Sequence, residues 1–300
     1  MINLTQVRIP ALHGGGARLQ PIDQRSHGLV DRQAIGAELR YLKNRVNGFA
    51  LMDYDIHFKR LNLGIATLNY SFPDDSSLSL TGDYRHSPML MTSNALIGQT
   101  LPGGVGFIPD LGVLQDYFSA SQIERIARAN TIVTKSLTVG YSRRLSQKLQ
   151  TNIDFSLNNT GGSSGTDLVT PGSLPIAAMP SVGTEYYYGL QLVGNGLLFQ
   201  NDIYILGGRF ADTQRARTYT FDLNARVPVT TSVRVSPRVR YAMRDDKQLD
   251  SSFRQLQPTL RVNIYPRRGS EVELELGGNF TRQRTSIGGV DTKTTERGFL

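Results

Sequence analysis

Neither cysteine nor tryptophan occurs among the 300 residues. The first absence removes disulfides, thiolate metal sites and a cysteine nucleophile together, and it is compatible with an oxidising compartment. Nowhere do apolar residues run for the roughly 18 positions that a membrane-spanning helix needs, and mean hydropathy is -0.27 with 39% hydrophobic residues. A helical membrane protein is thereby excluded. A membrane barrel is not, because its strands need only one apolar face. The four histidines, His13, His27, His57 and His86, form no HExxH motif, and GxSxG is absent. The glycine clusters HGGGAR and LPGGVG lack the Lys-Ser/Thr of a phosphate loop and read as loop sequence. Neither an enzyme nor a cofactor is expected. The opening residues, MINLTQVRIPALHGGG, have no basic stretch followed by an apolar one, so no secretory leader is read there.

What the chain does have is alternation. From Arg217 to Thr281 four successive segments alternate apolar and polar residues at a period of two. Tyr219, Phe221, Leu223, Ala225 and Val227 oppose Thr220, Asp222, Asn224 and Arg226. Val233, Val235, Val239, Tyr241 and Met243 oppose Arg234, Ser236, Arg238, Arg240 and Arg244. Leu256, Leu260, Val262 and Ile264 then oppose Gln257, Thr259, Arg261 and Asn263, and Val272, Leu274, Leu276 and Phe280 oppose Glu271, Glu273, Glu275 and Asn279. Each segment runs to roughly 11 or more residues, against about 5–6 for a globular strand and about 9–11 for a tilted strand crossing a membrane. Tight linkers (Pro228 to Ser232, Pro266 to Ser270) alternate with longer polar ones (Ala211 to Ala216, Asp245 to Ser252, Gln283 to Thr292), as in transmembrane barrels.

Along the rest of the chain, Asn3 to Ile9 reads as a strand and the Gly-rich, charged stretch through Arg32 as a loop. Ile35 to Leu42, FALMDYDIHF, Leu61 to Phe72 and Ser77 to His86 alternate again. Residues 88–130 break the rhythm and read as a long loop with short helices. Ser121 and Glu124 have the spacing of a capping box, with Ile123 and Ile126 on one face. Strands resume around Leu137 and Leu149, a second long loop covers Asn158 to Val182, and TEYYYGLQLVG and DIYILGGRF form another pair. No fixed-period repeat is present.

DYDIHF, LTGDYRHSPML, GYSRRLSQKLQ, NDIYILGGRFADT and the arginine-lined strands together resemble the C-terminal barrel of large Gram-negative outer-membrane proteins, some of which carry tetratricopeptide-type helical repeats upstream. The resemblance implies an all-β fold over residues 1–300, a transmembrane antiparallel up-and-down barrel of about 14 strands with short periplasmic turns and long outer loops. It also implies passage or export of a polar solute through the cell outer membrane. Lipid and lipopolysaccharide would surround such a barrel. The missing leader and the partial closing strand, TTERGFL, lead to the expectation that the chain is a fragment, with a periplasmic domain upstream in the same polypeptide.

The net charge of +8 and pI near 9.8 do not lead to nucleic acid, since the arginines occupy alternate strand positions rather than a tail or helix stripe. Arg226, Arg234, Arg238, Arg240, Arg244 and Arg261, with Asp222, Glu271, Glu273 and Glu275, are the candidate lumen residues, and their surplus of arginine predicts anion preference. Centring the two tight turns on Thr230 and Arg267 pairs Asp222 with Arg238, Arg226 with Arg234, and Arg261 with Glu273. Arg226, Arg234, Arg240 and Arg244 then remain in excess. Pro237 and Pro258 are expected opposite each other on the apolar face, at a gap in the sheet. Asp53, Asp55 and His57 alternate on one strand and form a weak candidate metal site, the plainer reading being a hydrated wall. Two functions follow: a channel for polar, anionic solutes or polymers, and a plugged barrel that presents its loops to a partner. Either places the chain in a membrane, whereas a third reading, a soluble β protein, does not. The full-length parent should therefore stay with the membrane pellet after alkaline carbonate extraction, and its recovery in the soluble fraction would contradict the reading.

Overall fold

The computed structural model describes residues 7–9, 15–267, 270–287 and 290–299, with side chains at 22–266, 270–286 and 292–298. Fifteen strands lie among the described residues: β1 (Val7–Ile9), β2 (Gly15–Ser26), β3 (Leu29–Lys43), β4 (Val46–Asp55), β5 (Arg60–Ser71), β6 (Ser77–Ser87), β7 (Ile132–Ser146) and β8 (Leu149–Thr160) come first. After them come β9 (Gly183–Asn195), β10 (Ile203–Asp212), β11 (Ala216–Pro228), β12 (Val233–Asp246), β13 (Ser251–Arg267), β14 (Ser270–Ile287) and β15 (Val290–Phe299). Strand order in the sheet is strand order in the chain, the up-and-down antiparallel pattern that hairpin connections produce. The chain divides into two compact units: one of Met1–Tyr70, Ser79–Thr138 and Asn158–Thr184, the other of Ser71–Leu78, Val139–Leu157 and Glu185–Leu300.

In the first unit the expected Gly-rich loop before Arg32 is instead a hairpin. Strands β2 and β3 pair from Gly15↔Tyr41 to Ser26↔Leu29, across His27 (φ 48°) and Gly28 (φ 79°). Two consecutive left-handed residues suit the right-handed twist of the flanking strands. Of the strand expected at Asn3 to Ile9, only Val7–Ile9 falls among the described residues.

The same unit holds a hydrophobic core that the sheet does not supply. Residues 88–131 form two 3₁₀ turns, Thr92–Leu96 and Pro102–Gly104, and helices α1 (Leu111–Gln115) and α2 (Ala120–Ala129). Ile123, Ile126 and Ala127, at helical spacing on α2, are fully buried with Leu111, Leu114, Ala95, Leu90 and Phe58. The capping box sits two residues earlier than expected. The Ser119 N–H donates to Gln122 Oε1 at 2.9 Å, because Ser119 and Gln122 repeat the spacing of Ser121 and Glu124. Glu124 instead faces His57 across 3.1 Å.

This assembly is tied to the sheet by side chains that imitate backbone. Asn62 on β5 donates to the Leu90 carbonyl (3.0 Å) and accepts from the Leu90 N–H (3.1 Å). The Thr92 hydroxyl donates to the Val30 carbonyl (2.7 Å), and Asp31 accepts from the Ser93 N–H (2.8 Å). The second long loop, residues 161–182, closes over the first. Gln99 donates to the Leu168 carbonyl (2.8 Å) and the Thr170 hydroxyl to the Thr100 carbonyl (2.6 Å).

In the second unit the polar linkers expected at Ala211 to Ala216, Asp245 to Ser252 and Gln283 to Thr292 are largely strand, as ladder pairs Asp212↔Arg217, Asp246↔Ser251 and Ser286↔Asp291 demonstrate. Charged residues that end in water do not stop a ladder. Between β9 and β10 the Asp202 carboxylate accepts the N–H groups of Leu197, Leu198 and Phe199 at 2.7–2.9 Å. Desolvation raises its pKa, but these amides together outweigh it and hold the group below the ordinary carboxylate value.

Asn62, 1% exposed, is the clearest test of how the loops are held. Asn62→Leu keeps the volume but strands a buried donor and acceptor of Leu90, a loss of roughly 1–3 kcal/mol. Proteolysis within 88–131 should accelerate while the strand signal in circular dichroism stays unchanged.

Candidate polar-face site

The apolar face of this sheet is exposed, and on β4 burial is inverted. On β4, Asp53 and Asp55 are buried whereas Met52 and Tyr54 are exposed. On β11 and β14, Phe221, Leu223, Leu274 and Leu276 are 49–66% exposed. Alternation explains the geometry: one face collects the charged residues, and the other collects aliphatic and aromatic ones with no further layer of protein over them among the described residues.

The expected pairings are shifted by two residues, and every face is kept. The β11–β12 turn centres one residue later than Thr230, with Val229 and Thr230 N–H groups both bonded to the Val233 carbonyl. Asp222 therefore meets Arg240, not Arg238, and Arg226 does not face Arg234, whose partner is Pro228. Likewise Arg261 faces Glu275, not Glu273, with a register irregularity between Ile264 and Arg267 absorbing the turn. A one-residue move of a turn centre shifts pairing by two, which the side-chain period cannot detect.

The resulting network runs from positive to negative across β11 to β14. Arg240 Nε donates to Asp222 at 2.7 Å. Arg261 donates to Glu275 at 2.6 and 2.9 Å and lies 3.3 Å from Glu273. Asn263 donates to Glu271 (2.8 Å) and Glu273 (3.0 Å), and the Tyr265 hydroxyl donates to Glu271 (3.0 Å). Arg234 donates to the Tyr265 hydroxyl at 3.2 Å, its guanidinium 5.5 Å from the ring centre. Arg244 lies 3.7 Å from Asp246. Arg240 is thus not in surplus. Arg226 and Arg238 are the arginines here that make no hydrogen bond or ion pair among the described residues. Arg226, Arg234 and Arg238 line one side of a cavity of about 620 Å³, and Glu271, Glu273 and Glu275 the other.

A neighbouring hollow of about 290 Å³ joins Asp154, Gly189, Arg209, Asp222 and Arg240. A Cβ at Gly189 would meet the Asp154 carboxylate, so a larger residue there would displace that side chain.

Each of the candidate metal residues has a partner of its own. Asp53 pairs with Arg32, Asp55 accepts the Phe58 N–H at 2.7 Å, and His57, beyond the end of β4, faces Glu124. No group of three potential ligands forms among the described residues. Arg32 escapes a reading that places it in a loop; once Leu29–Lys43 is one strand, it shares the polar face with Gly36, Glu38 and Arg40.

The prolines do interrupt the ladder, though not face to face. Pro237 pairs with Leu260 and Pro258 with Val239, a diagonal arrangement produced by the same two-residue shift. Pairing of β11 with β12 skips from Asn224↔Arg238 to Val227↔Val235, and β13 with β14 skips from Leu256↔Phe280 to Thr259↔Gly277. Each missing N–H thus points away from the ladder that the two proline strands share.

Comparison with protein-family models and with curated proteins finds no match.

Two ion pairs on the same face should respond differently to loss of the acid. Asp53→Asn leaves Arg32 buried and uncompensated, costing about 3–5 kcal/mol. Asp222→Asn removes a half-exposed pair worth about 0–1 kcal/mol. Denaturant unfolding of the two variants should separate them clearly, and equal losses would contradict the assignment of the buried pair.

Proposed function

We propose that this chain is a β-barrel of a bacterial outer membrane whose charged inner wall passes polar, anionic solutes. The observation that carries the reading is the exposure of the apolar strand faces. Apolar strand faces this continuous would be costly in water, at about 25 cal/mol per Å², and hydrocarbon removes that cost. The polar faces then bound a wet interior, where Arg226, Arg234 and Arg238 supply a positive field, while across the cavity Glu273 and Glu275 share Arg261.

A row of rings supports the same reading. Phe155, Tyr188, Phe210 and Tyr219 sit on successive strands β8 to β11 with centroids 4.7–5.8 Å apart. A belt of aromatic rings at one level is what a membrane interface selects, and here tyrosine and phenylalanine serve where tryptophan is absent.

A second reading is favoured by the loop assembly. A segment with its own core of Leu111, Leu114, Ile123 and Ile126 is built to hold a shape, as a cap, plug or partner-binding surface needs. Conductance separates the two.

In a planar bilayer under a salt gradient, the full-length chain should give a reversal potential of anion-preferring sign. Arg226→Glu with Arg238→Glu should move it toward cations. Insertion without conductance would favour the plugged barrel, and cation preference in the unaltered chain would overturn the selectivity assignment.

A further inference from the structure

The row of aromatic rings does not end at Tyr219. Following the ladder, Tyr219 faces Met243, Met243 faces Arg254, Arg254 faces Arg282 and Arg282 faces Thr295. Two strand steps nearer the middle of the sheet, the next row reads Phe221, Tyr241, Leu256, Phe280 and Arg297. Arg254, Arg282 and Arg297 therefore stand on the apolar face, which is the wrong face for an arginine in this sheet. All three are exposed, and none has a hydrogen bond or ion pair among the described residues. They share a hollow of about 400 Å³ with Tyr241, Leu256 and Phe280.

Phe280 also borders a second hollow, of about 390 Å³, directly below. It is lined by Pro258, Leu260, Leu276, Gly277 and Gly278, with Val239 and Pro237 at its side. The causes are local. Two prolines open the ladder, and Gly278 contributes no side chain on the face where Leu274 and Leu276 carry one. A basic pocket at the level of the aromatic rings thus continues into an apolar trough running along the strands.

We propose that this outward surface of β12 to β15 binds one phosphate-bearing membrane lipid, its phosphate held by Arg254, Arg282 and Arg297 and an acyl chain lying over Phe280 into the trough. The inference rests on the membrane reading above. Charge complementarity selects the occupant: guanidinium groups pair with phosphate oxygens through parallel hydrogen bonds, and the apolar trough beside them excludes a fully polar ligand. The interface level set by the rings is where phosphates of a bilayer lie. Asp245, on the same face one row beyond Met243, is the nearest outward carboxylate by register, and it lies off the arginine row.

The test uses the full-length chain reconstituted in phosphatidylcholine vesicles containing a minor fraction of phosphatidylglycerol, then extracted in mild detergent and weighed by native mass spectrometry. Phosphatidylglycerol should be retained at least tenfold over its share of the bilayer. Arg254→Glu with Arg282→Glu should abolish that enrichment, with insertion and conductance unchanged. Enrichment that survives the double reversal, or that is as large for phosphatidylcholine, would overturn the proposal. Displacement of the lipid by inorganic phosphate alone would also overturn it, since a free anion would then be the ligand. Failure to insert at all would strike the membrane reading instead, so the two failures are distinguishable.

Discussion

The pleat of a single-layer sheet is the constraint on which the rest of this protein depends. Successive side chains leave a strand on opposite sides, so a chain that alternates aliphatic and charged residues must build two surfaces of opposite character. Among the described residues of the second unit, nothing else covers the apolar one. Leu274 and Leu276 stay exposed because β14 has no layer of protein over that face, and Asp53 and Asp55 on β4 are buried because they point to the other face. Charges so placed need partners, which is why the polar face is laced by Arg32 to Asp53, Arg240 to Asp222 and Arg261 to Glu275.

Because the strands cannot bury apolar residues against one another face to face, the one packed core among the described residues lies elsewhere. Residues 88–131, closed over by 161–182, gather leucine, isoleucine and phenylalanine around α1 and α2. Leu29, the first residue of β3, and Phe58, in the turn after β4, reach into that core, so the assembly is anchored through strand ends rather than strand faces. Asn62, Thr92 and Asp31 supply hydrogen bonds to backbone that leaves the ladder, as buried amides require.

Departures from alternation are where specific binding can arise. Arg254, Arg282 and Arg297 break the rule on the apolar face, and Ile203 and Ile205 break it on the polar face, where they border the arginine-lined cavity. Pro237 and Pro258 break the ladder itself. Each exception adds a local chemistry that a uniform wall would lack: a basic site beside apolar surface on one face, an apolar flank beside guanidinium groups on the other.

The period of two was legible in the sequence. It is a local property, so the strand class, the identity of each face and the assignment of Arg226 to Arg240 to the polar one needed no tertiary information. Loop 88–130 and the helical face of Ile123 and Ile126 were equally visible, since they interrupt that period. Register was not. Asp222 could meet Arg238 or Arg240 without changing faces, and the choice depended on whether the turn centred on Thr230 or one residue later, a difference of backbone hydrogen bonds that no side-chain pattern records. The His27–Gly28 hairpin was hidden for a related reason, because polar residues on both flanks masked strands whose pairing comes from backbone alone. Only the folded ladder could align Arg254 with Arg282 and set both level with Tyr219, because those residues are remote in sequence and become neighbours through three successive registers.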